Sequence, residues 1–279
     1  MQTQPFNTKL SHPKGETMVI AHRGDWHYAP ENTLEAISNA IDLNIDMVEI
    51  DVKKTLDGKL ILMHDDTVDR MTSGNGRIKD LSYDVIRSFQ VKQSQGVGEA
   101  PYTDSHVPTF EEVMRLVSGK IMVNLDQCWE FREEVYQVLL ETNTVHQALF
   151  KSKALIEEVE QFLNSKDLRP LYMHMVGVEN YQGDLNTDMD TLFDKVNPVA
   201  IELNFKNREL SHYNMDKISE HLSGKCRIWA NTLDFLYHYG SLDEELLQDL
   251  EAGWEWCLSH DVNMIQTDNA RQLLKYMQK

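Results

Sequence analysis

Eight short apolar runs, separated by amphipathic stretches, constrain the fold of this chain more than any other feature. The runs are Met18–Ala21, Met47–Val52, Ile121–Leu125, Ala148–Lys151, Leu171–Met175, Ala200–Asn204, Arg227–Ala230 and Met264–Thr267. Between them, Asn32–Leu43, Phe131–Glu141, Leu155–Leu163, Leu210–Leu222 and Glu244–Leu258 carry apolar residues at helical spacing. Strand–helix alternation implies parallel pairing through crossover connections. Eight repeats in 279 residues favour an α/β fold of the closed (β/α)8 TIM-barrel kind over an open doubly wound sheet.

One interval breaks the rhythm. The chain between the second and third runs is far too long for a single crossover. It holds the extended run Lys59–Met63, the glycine-rich turn Ser73–Gly76 and the loop Gln93–His106 with Gly96, Gly98 and Pro101. We read residues 65–108 as an insertion between strand 2 and helix 2 that caps the barrel mouth, where loops carry function. No composition shift or internal repeat marks a second unit, so a single domain over residues 1–279 is expected.

Charge narrows the partners. With 27 basic and 45 acidic side chains the net charge is -18, which disfavours nucleic acid or an anionic membrane because both need a positive field. An anionic substrate would have to be met by a local cation or arginine. Cys128, Cys226 and Cys257 are odd in number and widely separated, so neither a zinc site nor a disulfide framework is expected. No apolar run approaches a membrane span. The first fifteen residues are polar, with Pro5 and Pro13 and no apolar signal segment. As it stands the sequence reads as cytoplasmic, or as periplasmic or secreted if a leader precedes it.

The chemistry-bearing residues cluster where the strands end, which in a parallel barrel is the active-site face. His22-Arg23-Gly24 follows the first strand: an imidazole able to exchange protons near neutral pH, a guanidinium able to fork onto phosphate oxygens, and a glycine for a sharp turn. Pro30-Glu31-Asn32-Thr33 reads as a helix start with Asn32 or Thr33 as the N-cap. Glu49 and Asp51 share one side of the second strand, since side chains alternate. Two converging carboxylates repel unless a cation or proton lies between them, and oxygen ligands select hard ions, Mg2+ or Ca2+. Asn124 and Asp126 share a face of the third strand, giving a third oxygen ligand. His64-Asp65 closes the run Lys59–Met63. Glu202 and Asn204, Asn231, and Gln266 to Asp268 end later strands. Trp229 reads either as core packing or as the wall of a substrate pocket. Tyr102, His174, Glu202 and Asn124 are further candidates for that pocket. Asp184–Asp190 has the opening spacing of a calcium loop but lacks its later glycine and glutamate, so a solvated loop is expected.

Taken in order and spacing, these segments resemble the glycerophosphodiester phosphodiesterase family. The resemblance is carried by His22-Arg23-Gly24, Pro30-Glu31-Asn32-Thr33, Glu49-Ile50-Asp51-Val52, Thr55, Asp57, Gly58, His64-Asp65, Arg70, Thr72, Gly76, Val107–Val113, Asn124-Leu125-Asp126, Trp229-Ala230-Asn231 and Ile265–Asp268. It implies metal-dependent hydrolysis of a small glycerophosphodiester to glycerol 3-phosphate and an alcohol. His22 and His64 would form the acid–base pair, Arg23 would bind phosphate, and Glu49 and Asp51 would hold Mg2+ or Ca2+. A cyclic phosphate is the expected intermediate. An enzyme that stops at the cyclic product and a catalytically impaired metal- or phosphate-binding relative are the alternatives. The family's third ligand is a glutamate in an Asn-x-Glu-x-Lys pattern. Here Asp126 takes that place, about 1.5 Å shorter in reach, with a water, Asn124 or Glu202 to fill the gap. Cys128 stands where the lysine is expected.

Overall fold

The computed structural model describes residues 9–177, 186–205, 215–233 and 244–279. In chain order its strands are β1 (Met18–His22), β2 (Met47–Lys54), β3 (Leu60–Leu62), β4 (Val91–Lys92), β5 (Tyr102–Thr103), β6 (Met122–Asp126), β7 (Ala148–Ser152), β8 (Leu171–Gly177), β9 (Ala200–Asn204), β10 (Arg227–Thr232) and β11 (Met264–Thr267). Eight of them, β1, β2 and β6 to β11, pair in parallel around a closed ring, with β1 hydrogen-bonded to both β2 and β11. These are the eight apolar runs, with ends displaced by no more than two residues.

The helices are α1 (Leu34–Asp42), α2 (Tyr83–Arg87), α3 (Phe110–Val117), α4 (Arg132–Glu141), α5 (Ile156–Asn164), α6 (Asn186–Lys195), α7 (Met215–Leu222), α8 (Glu244–Ser259) and α9 (Ala270–Tyr276). Residues 210–214 of the stretch expected to be helical at Leu210–Leu222 lie outside the described residues. So do Asp184 and Leu185 of the expected loop, while Asn186 to Asp190 begin α6 and are helical.

Strand alternation divides the core in two. Outward-facing Val19, Ala21, Val48, Ile50, Val123, Leu125, Phe150 and Ile201 pack under the helices with Ile37, Val113, Leu139 and Phe162. Inward-facing Met18, Ile20, Met47, Met122, Leu149, Met173, Ala200, Trp229 and Met264 fill the barrel, and Leu10 packs beneath them. Further along seven of these strands the inward positions are polar, namely His22, Glu49, Asp51, Asn124, Asp126, Lys151, Glu202, Asn231 and Gln266, while β8 continues with Met175. The barrel thus has an apolar plug in its amino-terminal half and a charged chamber at its carboxyl end.

The long interval after β2 builds its own small core. The strand β3 runs antiparallel to the end of β2, pairing Val52 with Leu62 and Lys54 with Leu60. Ile61, Met63, Val68, Met71, Ile78, Ile86, Val91 and Val107 bury one another there. The chain rejoins the barrel at α3. Its N-cap Thr109 accepts from the Glu112 backbone N–H while the Glu112 side chain accepts from the Thr109 N–H, so both exposed donors are satisfied. At the other entry, Thr33 caps α1, and Gly24 is required: its φ is +85°, and a β-carbon there would lie 2.8 Å from the Ala36 backbone. Among the described residues no helix is long and apolar enough to cross a membrane.

Trp229 anchors the inner plug with no exposed surface. Trp229→Ala should therefore destabilise the fold by about 3–5 kcal/mol. A urea titration would read this as a lower midpoint at unchanged slope.

Candidate active site

Register brings the predicted residues together. His22 pairs with Glu49 across β1 and β2, and Glu49 and Asp51 pair with Asn124 and Asp126 across β2 and β6. One oxygen from each of Glu49, Asp51 and Asp126 lies within 4.8 Å of the others. Oxygens on opposite sides of one calcium ion are separated by about 5 Å or less, so this donor set fits a single hard cation. Among the described residues, the buried Asn124 Oδ1 has no hydrogen-bond partner, and Arg23 Nε and Glu202 Oε2 make only ion-pair contacts. Incompletely satisfied atoms around one chamber are what a ligand site leaves behind.

The carboxylates differ in surroundings. Burial and the neighbouring Asp51 push Glu49 well above the usual carboxyl range. Burial acts on Asp51 in the same sense, but Arg23, His64 and His22 outweigh it and lower its pKa. Asp51 Oδ2 accepts from Asn32 Nδ2 at 2.9 Å, the Asp51 N–H donates to Asn32 Oδ1 at 3.1 Å, and Oδ1 accepts from Gln127 Nε2 at 2.8 Å. Asn32 adopts a left-handed backbone, φ +57°, which asparagine tolerates better than most residues. Thr33, then, is the cap, and Asn32 braces the acid.

Arg23 spans two acids. Its Nη1 donates to both oxygens of Glu31 at 3.0 and 3.1 Å, and its Nε lies 3.3 Å from Asp51 Oδ2. Burial opposes its charge, and Glu31, Asp51 and Glu49 more than offset that, so its pKa is raised. Its backbone N–H donates to Glu49 Oε2 at 3.2 Å.

The two histidines are arranged alike. His22 Nδ1 faces Asp268 Oδ1 at 2.7 Å, and its Nε2 points to the acid cluster, 3.9 Å from Glu49 Oε2. His64 Nδ1 faces Asp65 Oδ1 at 2.7 Å. Burial alone would raise Asp65, but hydrogen bonds from His64 and Arg70 pull it well below the ordinary carboxylate range. A carboxylate only accepts, so each imidazole carries its hydrogen on Nδ1 and leaves Nε2 for a substrate. They differ in exposure: the His22 side chain is 10% exposed and that of His64 is 42%.

Sequence reasoning missed Lys151. Its Nζ lies 2.9 Å from Asp126 Oδ2 and 3.4 Å from Glu202 Oε2. Burial would discharge it, yet Glu202, Asp126 and Glu49 hold its pKa above the ordinary range. The ammonium expected at position 128 therefore enters the chamber from the next strand. Cys128 itself is buried in the outer core and donates to the Leu125 carbonyl. The signal was a lone lysine ending an apolar strand. All three cysteines are buried and unpaired, with Cys226 and Cys257 pushed up to about 12 by burial.

The remaining candidates occupy varied positions. Glu202 lines the chamber, its Oε1 accepting from Asn231 Nδ2 at 3.0 Å. Trp229 belongs to the apolar plug and donates to Asn231 Oδ1 at 2.8 Å. Asn124 is fully buried and donates to the Leu149 carbonyl. Tyr102 is half exposed on β5. His174 sits outside the chamber against Tyr172, hydroxyl to Nδ1 at 2.9 Å, and burial lowers it to about 4.

A family model described as glycerophosphoryl diester phosphodiesterase family matches residues 22–210, and one described as a domain of unknown function matches residues 172–277. A glycerophosphodiester phosphodiesterase of Caldanaerobacter subterraneus subsp. tengcongensis is 39% identical over 112 residues, 40% of this chain and 45% of that protein. Human glycerophosphodiester phosphodiesterase 1 is 41% identical over 102 residues, 37% of this chain and 30% of that protein. The chain thus spans less than half the length of these curated relatives. In fold it is similar to a glycerophosphoryl diester phosphodiesterase from Parabacteroides distasonis, with a TM-score of 0.77, 17% identity, and 98% of this chain and 91% of that one covered. An Oleispira antarctica phosphodiesterase in complex with the product sn-glycerol-3-phosphate superposes with a TM-score of 0.69 at 19% identity, covering 94% of this chain and 97% of that one.

Two outcomes follow from these charges. The raised Glu49 pKa means that chelated protein loses stability as pH climbs from the unfolded value, about 4.3, through the folded one. Glu49→Gln should therefore stabilise chelated protein at neutral pH by on the order of 1–3 kcal/mol and abolish any metal-induced rise in melting temperature. His174 is the converse case, a base with a depressed folded pKa. Its contribution is present above about 6.5 and is lost as pH falls toward 4. Allowing for its partly exposed ring, His174→Gln should flatten that acid limb by about 2 kcal/mol in pH-dependent denaturation.

Proposed function

The chain belongs to the glycerophosphoryl diester phosphodiesterase family, and on that premise we propose that it is a phosphoric diester hydrolase. It cleaves small glycerophosphodiesters to glycerol 3-phosphate and an alcohol. The reading rests above all on one arrangement: two imidazoles, each with Nδ1 on a carboxylate, beside a three-carboxylate cluster with a buried arginine. The product named for the Oleispira relative supports the choice of glycerol 3-phosphate. In this reading the barrel and its 65–108 insertion act as one domain.

Each group has a task. Glu49, Asp51 and Asp126 would hold Mg2+ or Ca2+, which supplies Lewis acidity at a phosphate oxygen and the glycerol 2-hydroxyl. Arg23, with its Nη1 on Glu31 and its Nε beside Asp51, would bring its guanidinium to the other phosphate oxygens. The 2-hydroxyl oxygen attacks phosphorus and the alcohol oxygen departs. One histidine Nε2 takes the hydroxyl proton, and the other, protonated, gives one to the leaving alcohol. Water then opens the cyclic phosphate with the two proton roles exchanged. Asn32 and Gln127 keep Asp51 aimed inward, and Lys151 holds Asp126 and Glu202 without collapse of their charges. Glu202 lies at the wall of the chamber, with Asn124 and Trp229 packed beneath it rather than lining the space for the alcohol.

The test is release of glycerol 3-phosphate from a panel of glycerophosphodiesters with magnesium, with calcium and with chelator. Release is expected only with metal. His22→Ala and His64→Ala should each lower kcat by about 10²–10⁴-fold while keeping the metal-induced melting shift. A stable cyclic phosphate would instead mark a lyase, and metal binding without turnover an impaired relative.

A further inference from the structure

Arg70 has no part in the chemistry above, yet it links the carboxylate that holds His64 to the carboxylate that holds Arg23. It lies in the inserted segment. Its Nε and Nη2 fork onto Asp65, at 2.8 Å to Oδ2 and 3.0 Å to Oδ1. The same Nη2 reaches Glu31 Oε1 at 2.7 Å, and Nη1 donates to the Gln95 carbonyl. Asp65 holds His64 and Glu31 holds Arg23. An unbroken chain of hydrogen bonds therefore runs Arg23–Glu31–Arg70–Asp65–His64, from the end of β1 to the insertion.

The loop carrying Gln95 is locked to the same chain. The Glu31 N–H donates to the Ser94 carbonyl at 2.9 Å. Gly96 approaches so closely that a β-carbon on it would lie 2.6 Å from the Arg70 carbonyl oxygen, and its φ of +63° is in the left-handed region that favours glycine. A guanidinium spreads five donors over a rigid planar fork, whereas an ammonium is a compact point charge. A lysine at position 70 would therefore not reproduce the two-point grip on Asp65 together with the reach to Glu31. Burial opposes the Arg70 charge, and Asp65 and Glu31 raise its pKa against that opposition.

We propose that Arg70 is a positioning residue: it fixes the tautomer and orientation of His64 and the reach of Arg23 together, and so couples the insertion to both. This rests on the reading of His64 as acid–base catalyst and Arg23 as phosphate ligand. Its loss leaves the metal ligands untouched but lets the two arms drift independently.

The experiment compares the parent chain with Arg70→Ala, Arg70→Lys and His64→Ala on glycerophosphocholine with saturating magnesium. Arg70→Ala should lose about 100-fold in kcat, the scale of a misplacement near 1 Å, while its magnesium-induced melting shift stays that of the parent. Arg70→Lys should recover only part of the loss. Millimolar guanidinium should raise kcat of Arg70→Ala and leave the parent unchanged. In nitrogen NMR of the imidazoles, His64 should carry its hydrogen on Nδ1 in the parent and lose that preference in Arg70→Ala. An Arg70→Ala enzyme with parental kcat, or one lowered in melting temperature and unrescued by lysine or guanidinium, would overturn the proposal. A parent chain that releases no glycerol 3-phosphate would overturn the activity instead. The His64 tautomer then still decides the role of Arg70: an unchanged tautomer overturns it.

Discussion

Everything at the carboxyl end of this barrel answers one electrostatic constraint: Glu49, Asp51 and Asp126 are held with oxygens within 4.8 Å of one another. At an effective dielectric constant of about 20, unit charges at that spacing repel by about 3.5 kcal/mol per pair. Strand register places the three side chains side by side on adjacent inward positions. Arg23, Lys151, Asn32 and Gln127 each reduce the cost, and Glu49 answers through a raised pKa. The net charge of -18 matters far less. Its exposed contributors are screened beyond about 8 Å at physiological salt, whereas the chamber is enclosed.

The chamber can bear this strain because the other half of the barrel has no polar duties. Methionine, leucine and Trp229 fill the amino-terminal half, and outward-facing aliphatics bind the helices to the ring. Stability and chemistry are thus separated along each strand rather than between strands. A single strand such as β2 contributes Met47 to the plug and Glu49 and Asp51 to the site.

That separation explains how much could be read from the sequence. All eight barrel strands were legible because a strand buried on both faces must be an unbroken apolar run, and their acids stood out as exceptions at the ends. Four helices were not picked out, one of them the five-residue Tyr83–Arg87 inside the insertion. The stretch Asn186–Lys195 has few apolar residues to show a period, and Ala270–Tyr276 is two turns long. Phe110–Val117 did carry its Thr109–Glu112 capping box. Within the site, side chains projecting from strand ends were foreseen, but their braces were not. Glu31 and Arg70 are 39 residues apart, and spacing carries no information about a contact that only the folded insertion creates. Lys151 was hidden by the opposite effect, since a lysine ending a strand ordinarily turns to water.

The two histidines then show why the insertion is more than a cover. His22 sits on a barrel strand, nearly buried, and its carboxylate partner Asp268 follows another barrel strand, so the ring itself fixes it. His64 is far more exposed and sits at the edge of the insertion, with its partner Asp65 next to it in the chain. Two adjacent residues fix little about each other's direction, so Asp65 needs an outside reference. Arg70 provides it by tying Asp65 to Glu31 and hence to Arg23 at the end of β1. The barrel strands orient one imidazole, that of His22, where the proposed chemistry uses two, and the brace for the second comes from residues 65–108. The long interval after β2 thus completes a site that the barrel alone builds only in part.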